Sequence, residues 1–271
     1  SRLTTHDSKM EIIQNCYCCN ASDFQLYLKA KDNYSTEYFD IVQCKSCGFI
    51  FTNPRPAVNE IGVYYTSPDY MSHNSHSNGL VQSIYRYARH YMMRKKLELI
   101  QNSVGRQQDF SLLDFGCGTG DFLGFIKQHP IFAEGVEPDE QAREIAKNVN
   151  KVDTYSLENS VNIEKEKFDA ITLWHVLEHI HDLHKQIDYF NSWLKPGGKL
   201  FIAVPNIESY DAKKYGKYWD GLDVPRHIYH YSPKNIKQIA EQHHFIFKQQ
   251  YPLFLDAYYI SMRSEWHKGT G

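Results

Sequence analysis

Residues 111–120 read Ser-Leu-Leu-Asp-Phe-Gly-Cys-Gly-Thr-Gly, and this stretch constrains the fold more than any other. Leu112 and Leu113 predict a buried strand with Asp114 at its carboxyl end. Gly116, Gly118 and Gly120 predict a turn where a ligand approaches backbone that any Cβ would block. A helix is expected to follow at once. From Asp121 onward, Phe122, Leu123, Phe125 and Ile126 fall at helical spacing, so the unpaired N–H groups at the helix start face the ligand. An apolar strand, a glycine turn and a helix in that order make a cofactor cradle in an α/β fold.

Two cofactor classes use such a cradle. Phe132–Glu137 predicts a second strand ending in an acid about 20 residues after the glycines, as in the dinucleotide-binding pattern. That pattern places its third glycine three residues after the second, and here Asp121 occupies the position. With an acid before it, Gly-x-Gly-x-Gly instead resembles the class I S-adenosylmethionine-dependent methyltransferases, whose cationic ligand suits carboxylates. The resemblance implies that Asp114 lies near the amino group of the methionine moiety and that Gly116, Cys117, Gly118 and Gly120 run beside it. It further implies that Glu137, followed by Pro138, hydrogen-bonds the ribose hydroxyls, and that S-adenosylhomocysteine is the product.

Later segments continue the likeness, over roughly residues 105–250, a span that suits one domain. Val152–Tyr155 reads as a third strand, and the resemblance puts Ser156 and Leu157 beside the adenine. Phe168–Trp174 predicts a fourth strand, with Trp174 and His175 at its end near the sulfonium. Leu194–Asn206 predicts a helix stop, a two-glycine turn and a fifth strand. Strands alternating with helices predict a Rossmann-like, doubly wound, mostly parallel sheet. Phe245–Gln250 predicts a sixth strand. No seventh follows before Gly271, which implies a chain cut short or a departure from the family's usual pattern; a strand over Leu253–Met262 would refute that.

Cysteines mark the other end of the chain. Cys16-Tyr-Cys18-Cys19 and Cys44-Lys-Ser-Cys47-Gly48 have the spacing of a zinc ribbon, with Cys16, Cys19, Cys44 and Cys47 as a closed thiolate set around one structural zinc. Cys18 is an alternative ligand to Cys16 or Cys19, although the two-residue spacer favours the outer pair. Cys117 reads as a small filler in the glycine loop. The expected fold is therefore α/β with a small N-terminal zinc ribbon: residues 1–55 as the ribbon, 56–104 as linker and N-terminal helix, and 105–271 as the cofactor-binding core with an acceptor-side insertion near 207–235. Phe51–Pro56 holds two prolines and reads as linker. The ribbon and the aromatic stretch after it resemble the N-terminal part of a bacterial methyltransferase subgroup with a zinc-binding module. In that stretch, Tyr64, Tyr65, Tyr70 and His73 either cover the cofactor mouth or pack in a core.

Two histidine-rich segments carry the remaining chemistry. His175-Val-Leu-Glu178-His179 also matches the inverted zinc-peptidase motif, but it follows a strand directly and has no third ligand in the sequence. On the methyltransferase reading, Glu178 and His179 begin the next helix, where the carboxylate acts as a cap. Asp223-Val-Pro-Arg226-His227 falls beyond the fifth strand, where the family builds its acceptor side, and reads as an exposed Arg-His pair. His227 is the first candidate base, His175 the second, and Arg226 a holder for an anionic acceptor.

The expected reaction is methyl transfer to a small-molecule acceptor of sugar, quinone-like or secondary-metabolite type. A protein or RNA partner docked by the ribbon is the alternative, and cofactor binding without catalysis a third. A formal net charge of −2 gives no general pull toward nucleic acid. Arg86, Arg89, Arg94, Lys95 and Lys96 on a helix from Gly79 to Val104 read as a solvated face. Apolar runs are strand-sized, so no membrane span is expected, and paired cysteines at metal spacing suggest the cytoplasm.

Overall fold

A computed structural model of the chain describes residues 9–65 and 80–269, the first seven of the latter by backbone alone. Tyr70, His73 and the start of the predicted helix at Gly79 lie outside the described residues. The chain divides into two compact units: Ser1–His76, Glu178–His181 and Pro205–Gly271 form one, and Ser77–Leu177 with Asp182–Val204 the other.

In the first unit, β1 (Met10–Glu11) pairs antiparallel with β5 (Arg55–Pro56), while β2 (Phe24–Lys31), β3 (Tyr38–Cys44) and β4 (Ile50–Thr52) form an antiparallel meander. Arg55, buried in the short β5, donates to the Tyr17 and Tyr229 hydroxyls at 3.0 Å each and pairs with Glu11. Phe51–Pro56 is thus a packed element of this unit and not a linker.

The second unit is the α/β core. It holds α1 (Leu80–Val104), β6 (Ser111–Phe115), α2 (Asp121–Ile126), β7 (Phe132–Val136), α3 (Glu140–Asn148), β8 (Thr154–Tyr155), α4 (Leu157–Ser160), β9 (Phe168–Trp174), α5 (Leu183–Trp193) and β10 (Leu194–Ala203). The five strands form one parallel sheet in the order β10-β9-β6-β7-β8. Strand order reverses at β6, which opens a ligand crevice at the carboxyl ends of β6 and its neighbours. Asp169 ties the opposite ends of β6 and β9 together by accepting from the Ser111 N–H and hydroxyl and from Lys195. Burial would raise the Asp169 pKa, but Lys195 and Ser111 outweigh it and hold the carboxyl well below the usual range. Side chains from α1, α2, β6 and β7 bury Leu97, Ile100, Leu112, Leu123, Ile126 and Ala133 in one cluster.

Returning to the first unit, the chain forms α6 (Tyr210–Tyr215), β11 (Tyr229–His230), α7 (Pro233–Gln242) and α8 (Phe254–Lys268). Strand β11 pairs with β4, so the cysteine-bearing segment is not a self-contained module over residues 1–55: its sheet ends on residues from near the other terminus. A shared core joins Phe39, Ile41 and Tyr64 to Ile207, Trp219 and Val224, which places Tyr64 in packing.

One late expectation fails. Phe245–Gln250 forms no strand; Ile246 and its neighbours bury no alternating face, and a strand needs a paired edge. Residues 254–268 are helix α8, docked through Asp220, which bonds Arg263 and His267. Among the described residues the parallel sheet has no sixth or seventh strand. No helix among them is long and apolar enough to cross a membrane.

Candidate functional site

At the end of β6, Asp114 is buried and its Oδ1 accepts the Thr172 hydroxyl at 2.6 Å. Burial pushes the Asp114 carboxyl up to about 7, against the lowering effects of Thr172 and Lys96. The glycine turn then binds back to β7: the N–H groups of Gly116 and Cys117 both donate to the Val136 carbonyl, at 2.7 and 3.1 Å. Glu137 is the second anchor. Its Oε2 accepts the Gly118 N–H at 2.8 Å and its Oε1 the Asp139 N–H at 2.9 Å, so the acid after β7 holds the loop after β6. Pro138 lies in this turn, where its carbonyl and that of Glu137 accept from Arg143.

The three glycines serve different ends. All have left-handed backbone, but a Cβ on Gly116 would lie 2.4 Å from Val176, and one on Gly120 2.6 Å from Val152. Those two positions are closed by the protein itself, whereas a Cβ on Gly118 would meet nothing within 4 Å. Of the three, Gly118 is thus the one with open space on its Cβ side, while at Gly116 and Gly120 the protein itself requires glycine. Helix α2 after the turn has Gly120 as its left-handed N-cap and is six residues long.

Cys117 fills space against Gly135, and burial pushes its thiol far above the ordinary range, away from nucleophilic use. Trp174 ends β9 in contact with Phe122, and its buried indole N–H has no hydrogen-bond partner among the described residues. Lys96 from α1 sits 4.3 Å from the centre of the Trp174 ring and acts electrostatically on Asp114, so it is not part of a solvated face. His175 leaves the strand with φ 59°, and its N–H donates to the Ala203 carbonyl at 2.9 Å. Ser156 caps α4 by accepting from the Asn159 N–H, which places Leu157 at the first turn.

Within the other unit, the sulfur atoms of Cys16, Cys19, Cys44 and Cys47 all lie within 4.8 Å of one another. The Cys16–Cys47 and Cys19–Cys44 separations are both 3.6 Å, close to the edge of about 3.8 Å that tetrahedral Zn–S bonds of 2.3 Å require. Two matched turns produce the cluster. Asn20 N–H donates to the Cys16 carbonyl and Gly48 N–H to the Cys44 carbonyl, and both residues have positive φ, 62° and 80°. Cys18 stands outside this set of four: its carbonyl accepts from Gln238 and Gln242, and Asn235 reaches its sulfur.

The same unit holds the residues expected on the acceptor side. Arg226 is fully enclosed, not exposed: it donates to Asp32 at 2.8 Å, to Asp223 at 2.6 Å and to the Tyr64 carbonyl at 3.1 Å. Burial alone would lower its pKa, yet Asp223 and Asp32 outweigh that and raise it, and the enclosed guanidinium presents no surface to an acceptor. His227 Nδ1 lies 2.9 Å from the Gly221 carbonyl, and its Nε2 is 3.9 Å from both Glu178 Oε1 and Asp223 Oδ2. The His179 ring packs edge-on to His227, 4.7 Å between centres, with its Nδ1 within 3.0 Å of the Arg226 carbonyl and 2.9 Å of the Tyr65 hydroxyl. Burial, with His227 beside it, pushes His179 down to about 4. The peptidase reading loses its geometry here, because His175 directly follows the strand and Leu177–His179 is a single 3-10 turn instead of one helical face. Glu178 is fully buried and does not cap a helix, since α5 starts at Leu183.

Sequence reasoning missed Lys96, Thr172 and Asn20. Thr172 sits two residues before the end of β9, on the neighbour of β6, a register signal that becomes readable only once strand order is known.

A family model described as a methyltransferase domain matches residues 85–246. An uncharacterized methyltransferase of Alkaliphilus oremlandii is 29% identical over 124 residues, covering 44% of this chain and 56% of its own. A ubiquinone biosynthesis O-methyltransferase of Coxiella burnetii is 31% identical over 101 residues, 35% of this chain and 43% of that one. The chain thus spans about half the length of the curated relatives it matches. Among solved structures, the Burkholderia thailandensis 1,6-didemethyltoxoflavin-N1-methyltransferase, with S-adenosylhomocysteine bound, superposes with a TM-score of 0.49 at 16% identity, over 82% of this chain and 92% of that one.

Proposed function

The chain belongs to the methyltransferase-domain family, and from that premise we propose that it moves a methyl group from S-adenosylmethionine to a small-molecule acceptor. The observation that carries this reading is the pair of acids that bracket the glycine turn: buried Asp114 at the end of β6 before it, and Glu137 after β7, bonded to the Gly118 N–H. Asp114 would meet the ammonium of the methionine moiety, Glu137 the ribose hydroxyls, Ser156 and Leu157 the adenine, and Trp174 and His175 the sulfonium end. Lys96, which acts electrostatically on Asp114, would take the methionine carboxylate. S-adenosylmethionine supplies a methyl on sulfur that is already a good leaving group, so the protein's share is alignment and, for a protonated acceptor, removal of a proton. The proposal places acceptor activation at His227, with His175 as second candidate and Arg226 as the group that positions His227. A relative named for ubiquinone O-methylation supports a small acceptor.

Calorimetry tests this. S-adenosylmethionine should bind, and Glu137→Ala should weaken binding at least tenfold, since each hydrogen bond to a charged acceptor contributes about 1.5–3 kcal/mol. Unchanged affinity would remove Glu137 from the site. A pH series probes Asp114 separately. A carboxyl held near 7 is mostly protonated at pH 6, and only its ionised form attracts an ammonium. Affinity should therefore fall roughly eightfold from pH 7.5 to pH 6, and the slope should vanish in Asp114→Asn.

The four-cysteine cluster is proposed to hold a structural zinc; four thiolates close the tetrahedron and leave no position for substrate. Elemental analysis should find one thiolate-bound zinc per chain. Cys44→Ser should lose it while S-adenosylmethionine still binds, because the cofactor residues belong to the unit with its own core. Loss of cofactor binding in that variant would count against independent units.

A further inference from the structure

Among the described residues, one group of metal-ligating side chains converges besides the cysteines: single ligand atoms of Glu178, His179 and His227 all lie within 4.8 Å of one another. All three belong to the same compact unit. Their backbone is held from two sides. Ile228 N–H donates to the Glu178 carbonyl at 2.9 Å, and the Thr52 hydroxyl donates to the His227 carbonyl at 3.1 Å, so the Leu177–His179 turn and the segment around His227 are fixed to each other.

The carbonyl contacts assign the ring tautomers, with the Tyr65 hydroxyl, 2.9 Å from His179 Nδ1, accepting alongside. Gly221 and Arg226 present carbonyl oxygens to His227 Nδ1 and His179 Nδ1, at 2.9 and 3.0 Å. A carbonyl only accepts, so each Nδ1 carries the proton and each Nε2 keeps its lone pair. Metal-ligating histidines are oriented in this way, with the far N–H given to a carbonyl or carboxylate. His227 Nε2 lies 3.9 Å from Glu178 Oε1, and the Glu178 side chain is fully enclosed. Asp223 Oδ2 is as close to His227 Nε2 but is committed to Arg226, which leaves it in the outer shell.

We propose that Glu178, His179 and His227 bind a divalent transition-metal cation of the zinc class, in a two-histidine, one-carboxylate site distinct from the four thiolates. Ligand bonds of 2.0–2.1 Å place tetrahedral neighbours about 3.3 Å apart, so the observed 3.9 Å closes by roughly 0.6 Å, a side-chain adjustment. Nitrogen and oxygen donors suit zinc, iron or cobalt better than a hard cation such as magnesium, and three protein ligands leave a position open. That open position suits a hydroxyl or water oxygen, whose proton a bound cation of this class acidifies.

Cobalt(II) titration of the metal-free full chain tests the site without an activity assay. Two equivalents should bind, one giving intense thiolate-to-cobalt charge transfer in the near ultraviolet and the other only weak visible d–d bands. His227→Ala and Glu178→Gln should each lose the weak-band equivalent and keep the charge-transfer band, which reports that the shared unit is still folded. X-ray absorption of the doubly loaded parent chain should show imidazole scattering from two histidines, a readout that holds even if a variant fails to fold. A single equivalent in the parent, a second equivalent that persists in both variants, or spectra with sulfur scattering alone would overturn the proposal. Weak bands without charge transfer would sustain it and refute the thiolate zinc instead.

Discussion

Arg226→Met should destabilise its unit by about 3–5 kcal/mol, the cost of leaving buried charges without their partner. The guanidinium is enclosed, and its removal strands Asp32, which is buried, together with Asp223. It also strands the Tyr64 carbonyl, which faces the core of the same unit. Arg226→Lys should recover little, because one ammonium cannot reproduce donors that reach three acceptors in a fixed fork. Urea denaturation measures the effect, and the double variant Arg226→Met with Asp32→Asn should regain part of it. A loss below about 1 kcal/mol would mean that the network contributes no more than a surface pair. The acid limb provides a second reading. Burial would raise the Asp223 pKa, but Arg226 and His227 hold it below the ordinary carboxyl value. Its contribution is therefore present above about pH 4, is lost as pH falls through the lowered folded value, and should be missing from the acid limb of Arg226→Met.

His227→Ala should lower methyl transfer by roughly 10²–10⁴-fold with little change in S-adenosylmethionine affinity. The expectation rests on a fixed tautomer: Nδ1 is held at the Gly221 carbonyl, leaving Nε2 as the chemically active atom, with Glu178 and Asp223 nearby to stabilise positive charge on it. Whether Nε2 takes the proton itself or holds a cation that acidifies the acceptor, removing it abolishes activation, and the cobalt titration separates the two. The informative pattern is a drop in kcat with calorimetric cofactor affinity intact. Equal turnover in variant and parent would eliminate His227 and move the role to His175. A parallel loss of stability and cofactor binding would make His227 structural.

Local signals carried the cofactor half of the molecule. Leu112 to Gly120 announce strand, acid and turn because the backbone freedom of glycine and the burial of a short apolar run are properties of adjacent residues. Cysteine spacing behaved in the same way, since a metal knuckle closes within five residues: Cys16–Asn20 and Cys44–Gly48 fold on hydrogen bonds internal to each turn. Phe245–Gln250 has strand-like composition without strand structure, because a strand exists only where an edge accepts it, and composition does not report edges.

By itself, then, the sequence determined the parallel α/β core, the acids and glycines of its cradle and the four clustered cysteines, all of them products of short-range periodicity and spacing. Tertiary structure decided what depends on distant partners. It filled the Cβ positions of Gly116 and Gly120 with the side chains of Val176 and Val152 and left that of Gly118 empty. It paired β11 with β4, Tyr229 opposite Phe51, so that the cysteine segment shares a core with residues far along the chain. It also buried Arg226 against Asp32, a pairing that no local pattern encodes because a charged residue in sequence looks the same whether water or a carboxylate solvates it.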